Sequence, residues 1–313
     1  MAARPRRVLL DCDPGLDDAV AILLAAALED IRLLGITTVA GNSSLENTTR
    51  NALMVCELAG LSDVPVAAGM ERPLVRSRIE AERIHGVQGL GGIDLPPPKK
   101  RPVETHAVQF IIETLLRSEE KVTVVLIGPQ TNLAMALLLE PRIADRIDEV
   151  VFMGGSTAGG NETPAAEFNI CADAEAAHVV THSGLPLTMI GLNVTTRFEI
   201  HRTQIETIRN IGTRSSQFVS EALTFLAQRY VDIRGVHHCI LHDPCAVAVV
   251  HDRSLIRSRK MRVDVELRDE ATYGKTVCAD ETHKAGSPGI DVAVDLDADK
   301  MFGLLCSGLA GLP

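Results

Sequence analysis

Short apolar runs rich in β-branched residues alternate with stretches of helical spacing over most of the chain. The predicted strands are residues 7–11, 33–40, 121–127, 149–153 and 187–192. The predicted helices between them are residues 17–29, 46–59, 105–117, 132–139 and 173–182. Continuous apolar strands that are joined through helices pair in parallel, with helices on both faces of the sheet. We therefore predict an α/β fold with a Rossmann-like, open and mostly parallel sheet flanked by helices.

The last third of the chain has a different pattern. Residues 214–230 predict a long amphipathic helix and residues 242–250 a short buried helix. Residues 261–267 and 290–296 alternate in polarity, which is typical of strands. The Pro-rich, basic patch at residues 95–102 predicts a rigid surface loop.

Composition and charge exclude several classes of protein. The net charge is −10, from 31 Lys and Arg against 41 Asp and Glu, so the positive surface of a nucleic-acid binder is missing. Aromatic residues make up 3% and Trp is absent, which also disfavours a surface for stacking bases. Hydrophobic residues make up 46% of 313, enough for a sizeable core. We predict a single domain over residues 1–313.

The predicted location is the cytoplasm. The longest apolar run, residues 19–28, is about half as long as a membrane helix needs to be. The apolar stretch at residues 8–10 is too short for a secretory signal. The seven Cys include no C-x-x-C pair, so neither a disulfide framework nor a zinc site is expected.

Four carboxylates follow the first predicted strand within a short segment. Asp11 and Asp13 project to the same side of an extended strand, and Asp17 and Asp18 open the next helix. Two like charges 4 Å apart repel by roughly 4 kcal/mol at an effective dielectric of 20, and a helix dipole offsets at most about 2 kcal/mol. A hard divalent cation with oxygen ligands balances such a group best.

Two other oxygen-ligand sites can be compared by spacing. An EF-hand loop would need Asp or Asn at Gly15 and Glu at Ile22, so it is excluded. A phosphatase of the haloacid-dehalogenase type also begins with a strand and Asp-x-Asp, but it expects Thr or Val where Gly15 stands. A metal-dependent phosphohydrolase of this aspartate type therefore stays an alternative.

The four carboxylates belong to the string Leu-Asp-Cys-Asp-Pro-Gly-Leu-Asp-Asp-Ala at residues 10–19. Further motif-like blocks follow at residues 37–42, 128–134, 153–155, 166–170 and 242–244. With these blocks in this order, the chain resembles the inosine–uridine-preferring nucleoside hydrolases, a family with a pyrimidine-specific branch. An ordered set of this kind is far more specific than the short Asp motif alone. A nucleoside- or ribose-binding protein without turnover stays an alternative.

The resemblance implies a Ca²⁺ ion held by Asp13, Asp18, Asp243 and the backbone carbonyl of Ile127. Some relatives carry Thr at the position of Ile127, a change that a main-chain ligand tolerates. Asp13 would also be the general base that takes a proton from water. On the residues alone, Asp243 before Pro244 is equally typical of a helix N-cap.

The resemblance also implies the residues that hold the ribose. Asp17, Asn169 and Asn42 would bind the 2′- and 3′-hydroxyls, and Asn161 and Glu167 would bind the 5′-hydroxyl. Without the family, Asn42 is equally a turn residue, and residues 167–169 are equally a solvated loop. Asn132 is expected to support the turn at residues 128–131, and Met153 is expected in the apolar core.

The leaving base is served by a third set of residues in the resemblance. His242 would be the acid for the departing base, since histidine titrates near neutrality. His85 lies where the family has a mobile loop over the base, and Tyr230 and Arg234 match a second base-recognition segment. His237 and His238 depart from the family pattern just beyond it, so the preferred base stays open.

The function expected from these residues is hydrolysis of the N-glycosidic bond of ribonucleosides to free base and ribose. The substrates would be uridine, cytidine or inosine, and Ca²⁺ would be the cofactor. The partner is a small-molecule ribonucleoside, with no nucleic acid or membrane expected. Family members are usually dimers or tetramers, so the resemblance implies a homodimer or homotetramer.

Overall fold

The computed structural model describes residues 4–280 and 289–313. Its strands are β1 (Arg6–Cys12), β2 (Ile31–Thr38), β3 (Val66–Ala68), β4 (Val122–Leu126), β5 (Ile147–Met153), β6 (Leu187–Ile190), β7 (Glu199–His201), β8 (His238–Ile240), β9 (Ile256–Val265), β10 (Thr276–Asp280) and β11 (Ile290–Leu296). Its α-helices are α1 (Leu16–Ala27), α2 (Leu45–Leu58), α3 (Glu82–His85), α4 (Ala107–Arg117), α5 (Thr131–Leu139), α6 (Phe168–Ala172), α7 (Ala174–Thr181), α8 (Leu192–Thr195), α9 (Arg202–Arg209), α10 (Arg214–Arg234), α11 (Pro244–His251) and α12 (Ala298–Ala310). Two 3₁₀ turns cover Pro141–Arg146 and Arg253–Leu255.

Within the described residues, the main sheet has nine strands in the order β10-β9-β11-β6-β5-β4-β1-β2-β3. Its pairs are parallel from β3 to β11, and β9 runs antiparallel to both of its neighbours, β11 and β10. The order 3-2-1-4-5-6 within it is that of a Rossmann fold, so the connections change direction between β1 and β4. The predicted fold class is confirmed, and the crevice of such a sheet opens at that switch point.

Both faces of the sheet are covered by helices. Along β1, Val8 and Leu10 pack into one core with α1, α2, α10, α11 and α12, whereas Leu9 packs into the other core with α4, α5 and α7. Each of these strand side chains is at most 2% exposed. This burial on both faces explains why the strand reads as a continuous apolar run.

Several predicted elements have different limits in the structure. Helix α10 continues to Arg234, four residues past the predicted end, and stops at Gly235, whose φ of 69° is left-handed. Strand β9 begins at Ile256, before the predicted residue 261. The short strands β3, β7, β8 and β10 were not predicted, because segments of three to five residues carry little periodicity.

The remaining predictions about the surface can be compared directly. The patch at residues 95–102 has no regular element, and the backbone amides of Lys99 and Lys100 donate to Glu57 Oε1, each at 2.6 Å. All seven Cys are free thiols. Over the described ranges, no helix combines the length and the apolar character that crossing a membrane requires.

Candidate active site

The carboxylates after β1 lie at the switch point of the sheet, where β1 and β4 end. Asp13 follows β1, Asp17 and Asp18 lie in the first turn of α1, and Asp243 precedes α11. Carboxylate oxygens of Asp17, Asp18 and Asp243 lie within 4.8 Å of one another. All four side chains are at most 7% exposed. We call these four residues the carboxylate cluster.

Hydrogen bonds fix the two carboxylates at the centre of the cluster. Asp18 accepts from the backbone amides of Asp13 and Gly15 and from Asn42 Nδ2, each at 3.0 Å. Asp13 Oδ2 accepts from the backbone amide of Asn42 at 2.7 Å. Asn42 therefore orients both carboxylates, which is more than the turn role that its sequence context allowed.

One oxygen of the cluster stands out. Asp13 Oδ1 is buried and accepts no hydrogen bond from the described residues. Asp13 also fits tightly between two glycines, because a Cβ on Gly41 or on Gly128 would collide with its carboxylate. An ionised oxygen without a partner in such a place is costly unless a cation or a proton balances it.

The cluster is electrostatically strained without a cation. Burial, followed by the charge of Asp17, raises the pKa of Asp18 to about 7. Burial and the neighbouring carboxylates also raise the pKa values of Asp13 and Asp243 well above their ordinary range. The side chain of Asp243 makes no capping hydrogen bond to α11, so it is not an ordinary N-cap. These four acids are a donor set suited to a hard divalent ion.

A second layer of buried polar groups lies beneath the cluster. Asp11 accepts from the Thr37 hydroxyl and from Asn132 Nδ2, the latter at 2.8 Å, and burial raises its pKa to about 7. Asn132 also donates to the carbonyl of Thr38 and accepts from the amide of Met70. The expectation that Asn132 supports the turn at residues 128–131 is therefore wrong, since its bonds join the ends of β1 and β2.

Asn169 lies beside the carbonyl that was expected to bind the ion. Its Nδ2 donates to the carbonyls of Ile127 and Met153, at 3.0 and 3.2 Å. The sulfur of Met153 is 3.5 Å from the same nitrogen. Met153 is buried, as expected, but it also lines the pocket.

Glu167 and Asn161 hold the loop before α6. Glu167 Oε1 accepts from the amide of Asn169, and its Oε2 accepts from the amides of Gly155 and Ile170, at 2.8 to 3.1 Å. Asn161 Oδ1 accepts from the amide at residue 168 at 2.9 Å. Burial raises the pKa of Glu167 to about 7. Residues 167–169 are thus a buried helix start and not a solvated loop.

Two histidines face the same pocket. His85 Nδ1 accepts from the backbone amide of Leu16 at 3.1 Å, so a neutral His85 carries its hydrogen on Nε2. His242 Nδ1 lies 2.8 Å from the hydroxyl of Thr195. Burial lowers both pKa values, that of His242 to about 4. Both rings are therefore neutral at pH 7 in this state of the site.

A single pocket collects nearly all of the predicted residues. Its empty volume, including the space of its open mouth, is about 640 Å³. Asp13 and Asp18 are not lining residues, but both accept hydrogen bonds from Asn42, which lines the pocket. The predicted residues that line it are Asp17, Asn42, His85, Ile127, Asn161, Glu167, Asn169, Tyr230, Arg234, His242 and Asp243.

Comparison with known proteins identifies the family of this chain. The model of the inosine-uridine preferring nucleoside hydrolases matches residues 8–303. The chain belongs to this family. It is therefore a nucleoside hydrolase, an enzyme that acts on N-glycosyl compounds, and the resemblance seen in the sequence is confirmed. The match decides against the phosphohydrolase of the aspartate type.

Relatives of this nucleoside hydrolase cover almost all of its length. It is 43% identical to the inosine-uridine preferring nucleoside hydrolase of Crithidia fasciculata, over 97% of this chain and 98% of the relative. It is 40% identical to a pyrimidine-specific ribonucleoside hydrolase, RihB, of Escherichia coli, over 96% of both chains. Its fold is similar to the solved structure of a purine-preferring ribonucleoside hydrolase from Gardnerella vaginalis, with a TM-score of 0.92, 31% identity and 98% of both chains covered.

The mouth of the hydrolase pocket contains residues that the sequence did not reveal. The guanidinium of Arg83 forms an ion pair with Glu162 at 2.8 Å, and Arg229 donates to the carbonyl of Arg83. The guanidinium carbon of Arg234 lies 4.8 Å from the centre of the Tyr230 ring. The contacts of Arg83 join segments far apart in the chain, so no local motif signals them. Tyr230 and Arg234, by contrast, are predicted residues that lie one turn apart on α10.

His238 does not line this pocket. Its ring pairs with His201 across β7 and β8 at 5.2 Å, and its Nε2 is 3.8 Å from Glu199. The departure from the family pattern at His238 therefore concerns the small sheet beside the pocket.

Proposed function

We propose that this chain hydrolyses the N-glycosidic bond of ribonucleosides, with Asp13 as general base and Ca²⁺ in the carboxylate cluster. The proposal rests on the buried Oδ1 of Asp13, which lacks a partner among the described residues, and on the carboxylate oxygens of Asp17, Asp18 and Asp243, which lie within 4.8 Å of one another. The donor set is entirely oxygen, which suits Ca²⁺ better than zinc or copper. Asp13, Asp18, Asp243 and the carbonyl of Ile127 would hold the ion, with Asp17 close enough to share it.

When bound, Ca²⁺ supplies positive charge that offsets the cluster and lowers the pKa of nearby water. Asp13 is fixed at Oδ2 by Asn42, so Oδ1 is the oxygen placed to accept a proton from water. The water then adds to the anomeric carbon as the bond to the base breaks. The proton on Asp13 leaves to solvent after the ribose has formed.

The ribose would lie over the cluster. Asp17 and Asn169 line the pocket beside the ion site and can bind the 2′- and 3′-hydroxyls. Glu167 and Asn161 lie on the adjoining wall, where the 5′-hydroxyl would reach. Contacts with all three hydroxyls that strengthen in the oxocarbenium-like transition state raise kcat and not affinity alone. Deoxyribonucleosides should therefore be poor substrates.

His242 would serve the departing base. It lines the pocket next to Asp243, and a hydrogen bond from the Thr195 hydroxyl to Nδ1 would keep its hydrogen on Nε2. Because burial lowers the pKa of His242 to about 4, the neutral ring would donate a hydrogen bond from Nε2 to the base nitrogen that gains charge, and the departed base would take its proton from solvent. His85, Tyr230 and Arg234 would surround the base, with the Tyr230 ring and the Arg234 guanidinium as flat contact surfaces.

The preferred base, the assembly and the location stay predictions. Named relatives include inosine-uridine-preferring, pyrimidine-specific and purine-preferring enzymes, so uridine, cytidine and inosine are the proposed substrates. A homodimer or homotetramer is proposed on the family resemblance and is tested by light scattering. A cytoplasmic location is tested by fractionation of cells that express the chain.

The direct test is a panel of uridine, cytidine, inosine, guanosine and 2′-deoxyuridine, assayed for reducing sugar and for free phosphate. We expect ribose release from at least one ribonucleoside, little release from the deoxynucleoside and no phosphate. Binding of ribose without any turnover would instead support the nucleoside-binding alternative.

A further inference from the structure

We propose that Asn51 is a positioning residue that couples the loop over the pocket to the turn that carries the catalytic carboxylates. The loop is residues 82–90, which include His85, and we call it the lid segment. The turn is residues 13–18. Asn51 lies on α2, between the two, and its side chain is fully buried.

The side-chain amide of Asn51 bridges the two segments. Its Nδ2 donates one hydrogen to the carbonyl of Pro14 at 2.9 Å and the other to the carbonyl of Gln88 at 2.8 Å. Its Oδ1 is buried and accepts no hydrogen bond in the described part of the chain. A buried acceptor without a partner is costly. The two bonds donated by Nδ2 are therefore the interactions that hold the amide in this orientation.

The backbone of the lid segment touches the turn at the same place. Gly89 has a φ of +86°, and a Cβ there would lie 2.8 Å from Asn51 Nδ2 and 3.0 Å from the carbonyl of Pro14. A side chain at residue 89 would therefore push the lid segment away from Pro14. The lid segment can approach the turn this closely because Gly89 has no side chain between its backbone, the Pro14 carbonyl and the Asn51 amide.

A second fastening of the lid segment does not reach the turn. Ser43 Oγ and Asn47 Nδ2 donate to the carbonyl of Val87, at 3.0 and 3.3 Å. Asn47 has no hydrogen bond to residues 13–18 among the described contacts. Of these two asparagines, which lie one helical turn apart on α2, only Asn51 therefore bonds to the turn. The lid segment has one further bond to the turn, from the amide of Leu16 to His85 Nδ1, and substitution of either asparagine leaves both of its partners in place.

The coupling has a direct consequence for the carboxylates. Pro14 follows Asp13 and precedes Asp17 and Asp18, so a change in its carbonyl position alters the geometry of all three. A displacement of the Gln88 carbonyl would thus be passed through the Asn51 side chain to the Pro14 carbonyl. The structural part of this inference stands alone, and its kinetic part rests on the proposed function.

The test is hydrogen exchange of the full chain for Asn51→Leu and Asn47→Leu, with separate readout of residues 13–18 and 82–90. We expect Asn51→Leu to speed exchange in both segments by about tenfold, the effect of one or two lost hydrogen bonds. Asn47→Leu should speed exchange in the lid segment only. Faster exchange confined to the lid segment in Asn51→Leu would overturn the coupling.

A second pair of variants keeps the test valid if Asn51→Leu does not fold. Gly89→Ala inserts a methyl between the lid segment and the turn, whereas Gly92→Ala meets no atom within 4 Å. Both glycines have a positive φ, so the backbone strain is matched. Gly89→Ala should speed exchange in both segments, and Gly92→Ala in neither; equal effects from the two would contradict the proposal.

The kinetic part has its own readout. For ribonucleoside hydrolysis, Asn51→Leu should lower kcat about tenfold, whereas Asn47→Leu should change KM more than kcat. Equal kcat for these two variants would contradict the effect of the coupling on catalysis. Lack of turnover in the unmodified chain would count against the proposed function, and the exchange comparison would still decide the coupling.

Discussion

The floor and the mouth of the pocket are built in opposite ways. The floor is the carboxylate cluster, which lies at strand ends and helix starts of the central sheet and is almost fully buried. The mouth is formed by the lid segment, the loop at residue 162 and the end of α10. Its Arg83 and Glu162 side chains are 47% and 24% exposed.

This difference separates chemistry from specificity. In the proposed function, the floor would contact what every ribonucleoside shares, the ribose and the bond to be broken, and the sheet fixes its position. The mouth would contact the base, which differs between substrates, and a few contacts between loops fix its position. Changes in the floor should therefore lower kcat for all substrates, and changes in the mouth should alter KM in a way that depends on the base.

The largest expected effect is on the floor. Asp13→Ala removes the proposed general base and one ligand of the ion, so kcat should fall by about 10³-fold or more for every nucleoside. Circular dichroism and thermal unfolding check that the fold is retained. The control is Asp252→Ala. Asp252 caps the 3₁₀ turn at Arg253–Leu255 and does not line the pocket, so kcat should be unchanged. If the loss of kcat in Asp13→Ala depended on the base of the nucleoside, the separation of floor and mouth would be contradicted.

His242 lies at the boundary between floor and mouth, and its effect should depend on the leaving group. His242→Ala should slow natural nucleosides about 10²-fold more than p-nitrophenyl riboside, whose leaving group needs no proton. Steady-state kinetics with both substrates measure this ratio. Equal losses on the two substrates would show that His242 does not assist the departure of the base and has only a structural role.

At the mouth, smaller and base-dependent effects are expected. Arg234→Ala removes the guanidinium over the Tyr230 ring, and KM should rise by about tenfold for one class of base, with kcat little changed. Arg214→Ala, at the exposed first residue of the same helix, is the matched control. Equal KM changes for purine and pyrimidine nucleosides would show that Arg234 does not read the base.

The smallest expected effect is on the stability of the chain when no ion is bound. It comes from buried carboxyl groups in the carboxylate cluster and beneath it. Asp11 and Asp18 have folded-state pKa values of about 7 against an ordinary 3.8, because burial disfavours their charged forms. The folded chain therefore binds more protons than the unfolded chain between about pH 4 and pH 7, and its stability falls as pH rises through this window. Chelator-treated protein should unfold at a lower temperature at pH 7.5 than at pH 5.

Two additions to that experiment sharpen it. Ca²⁺ at pH 7.5 should raise the unfolding temperature of the unmodified chain, since it binds the folded state. Asp18→Asn removes one of the shifted groups and should flatten the pH dependence. If the unfolding temperature of the chelator-treated protein rose from pH 5 to pH 7.5, the raised pKa values of these buried carboxyl groups would be contradicted.

The floor could largely be predicted from the sequence, for a physical reason. Its residues come directly after buried strands whose apolar runs are easy to recognise, and parallel strands bring such ends together. Asp13, Asp17 and Asp18 lie within one short motif, and Asp243 directly precedes a recognisable helix start at Pro244. Their joint burial, and the Asp13 oxygen that has no partner within residues 4–280 and 289–313, could be found only from the structure, because burial depends on the packing of distant helices.

The mouth could not be predicted in the same way. Its ion pair joins Arg83 to Glu162, and no periodicity links residues so far apart in the chain. The predicted end of α10 at residue 230 left Arg234 outside the helix; in the structure it lies one turn after Tyr230 on the same helix. Asn51 reads as an ordinary helix residue, and only the structure shows its two carbonyl partners.

The single-domain prediction for residues 1–313 also depends on long-range pairing. One sheet contains both β1 near the start and β11 near the end of the chain. Calorimetric unfolding should accordingly give one cooperative transition, and two separable transitions would contradict a single domain.

The most direct test of the carboxylate cluster is calorimetric titration of the chelator-treated chain with Ca²⁺ at pH 7, in buffers of different ionisation enthalpy. We predict saturable binding of one ion per chain with release of protons, because the carboxyl groups with raised pKa values must ionise to bind it. Asp243→Asn should weaken this binding strongly. Absence of saturable binding, or equal binding by Asp243→Asn, would contradict a cation site in the floor of this pocket.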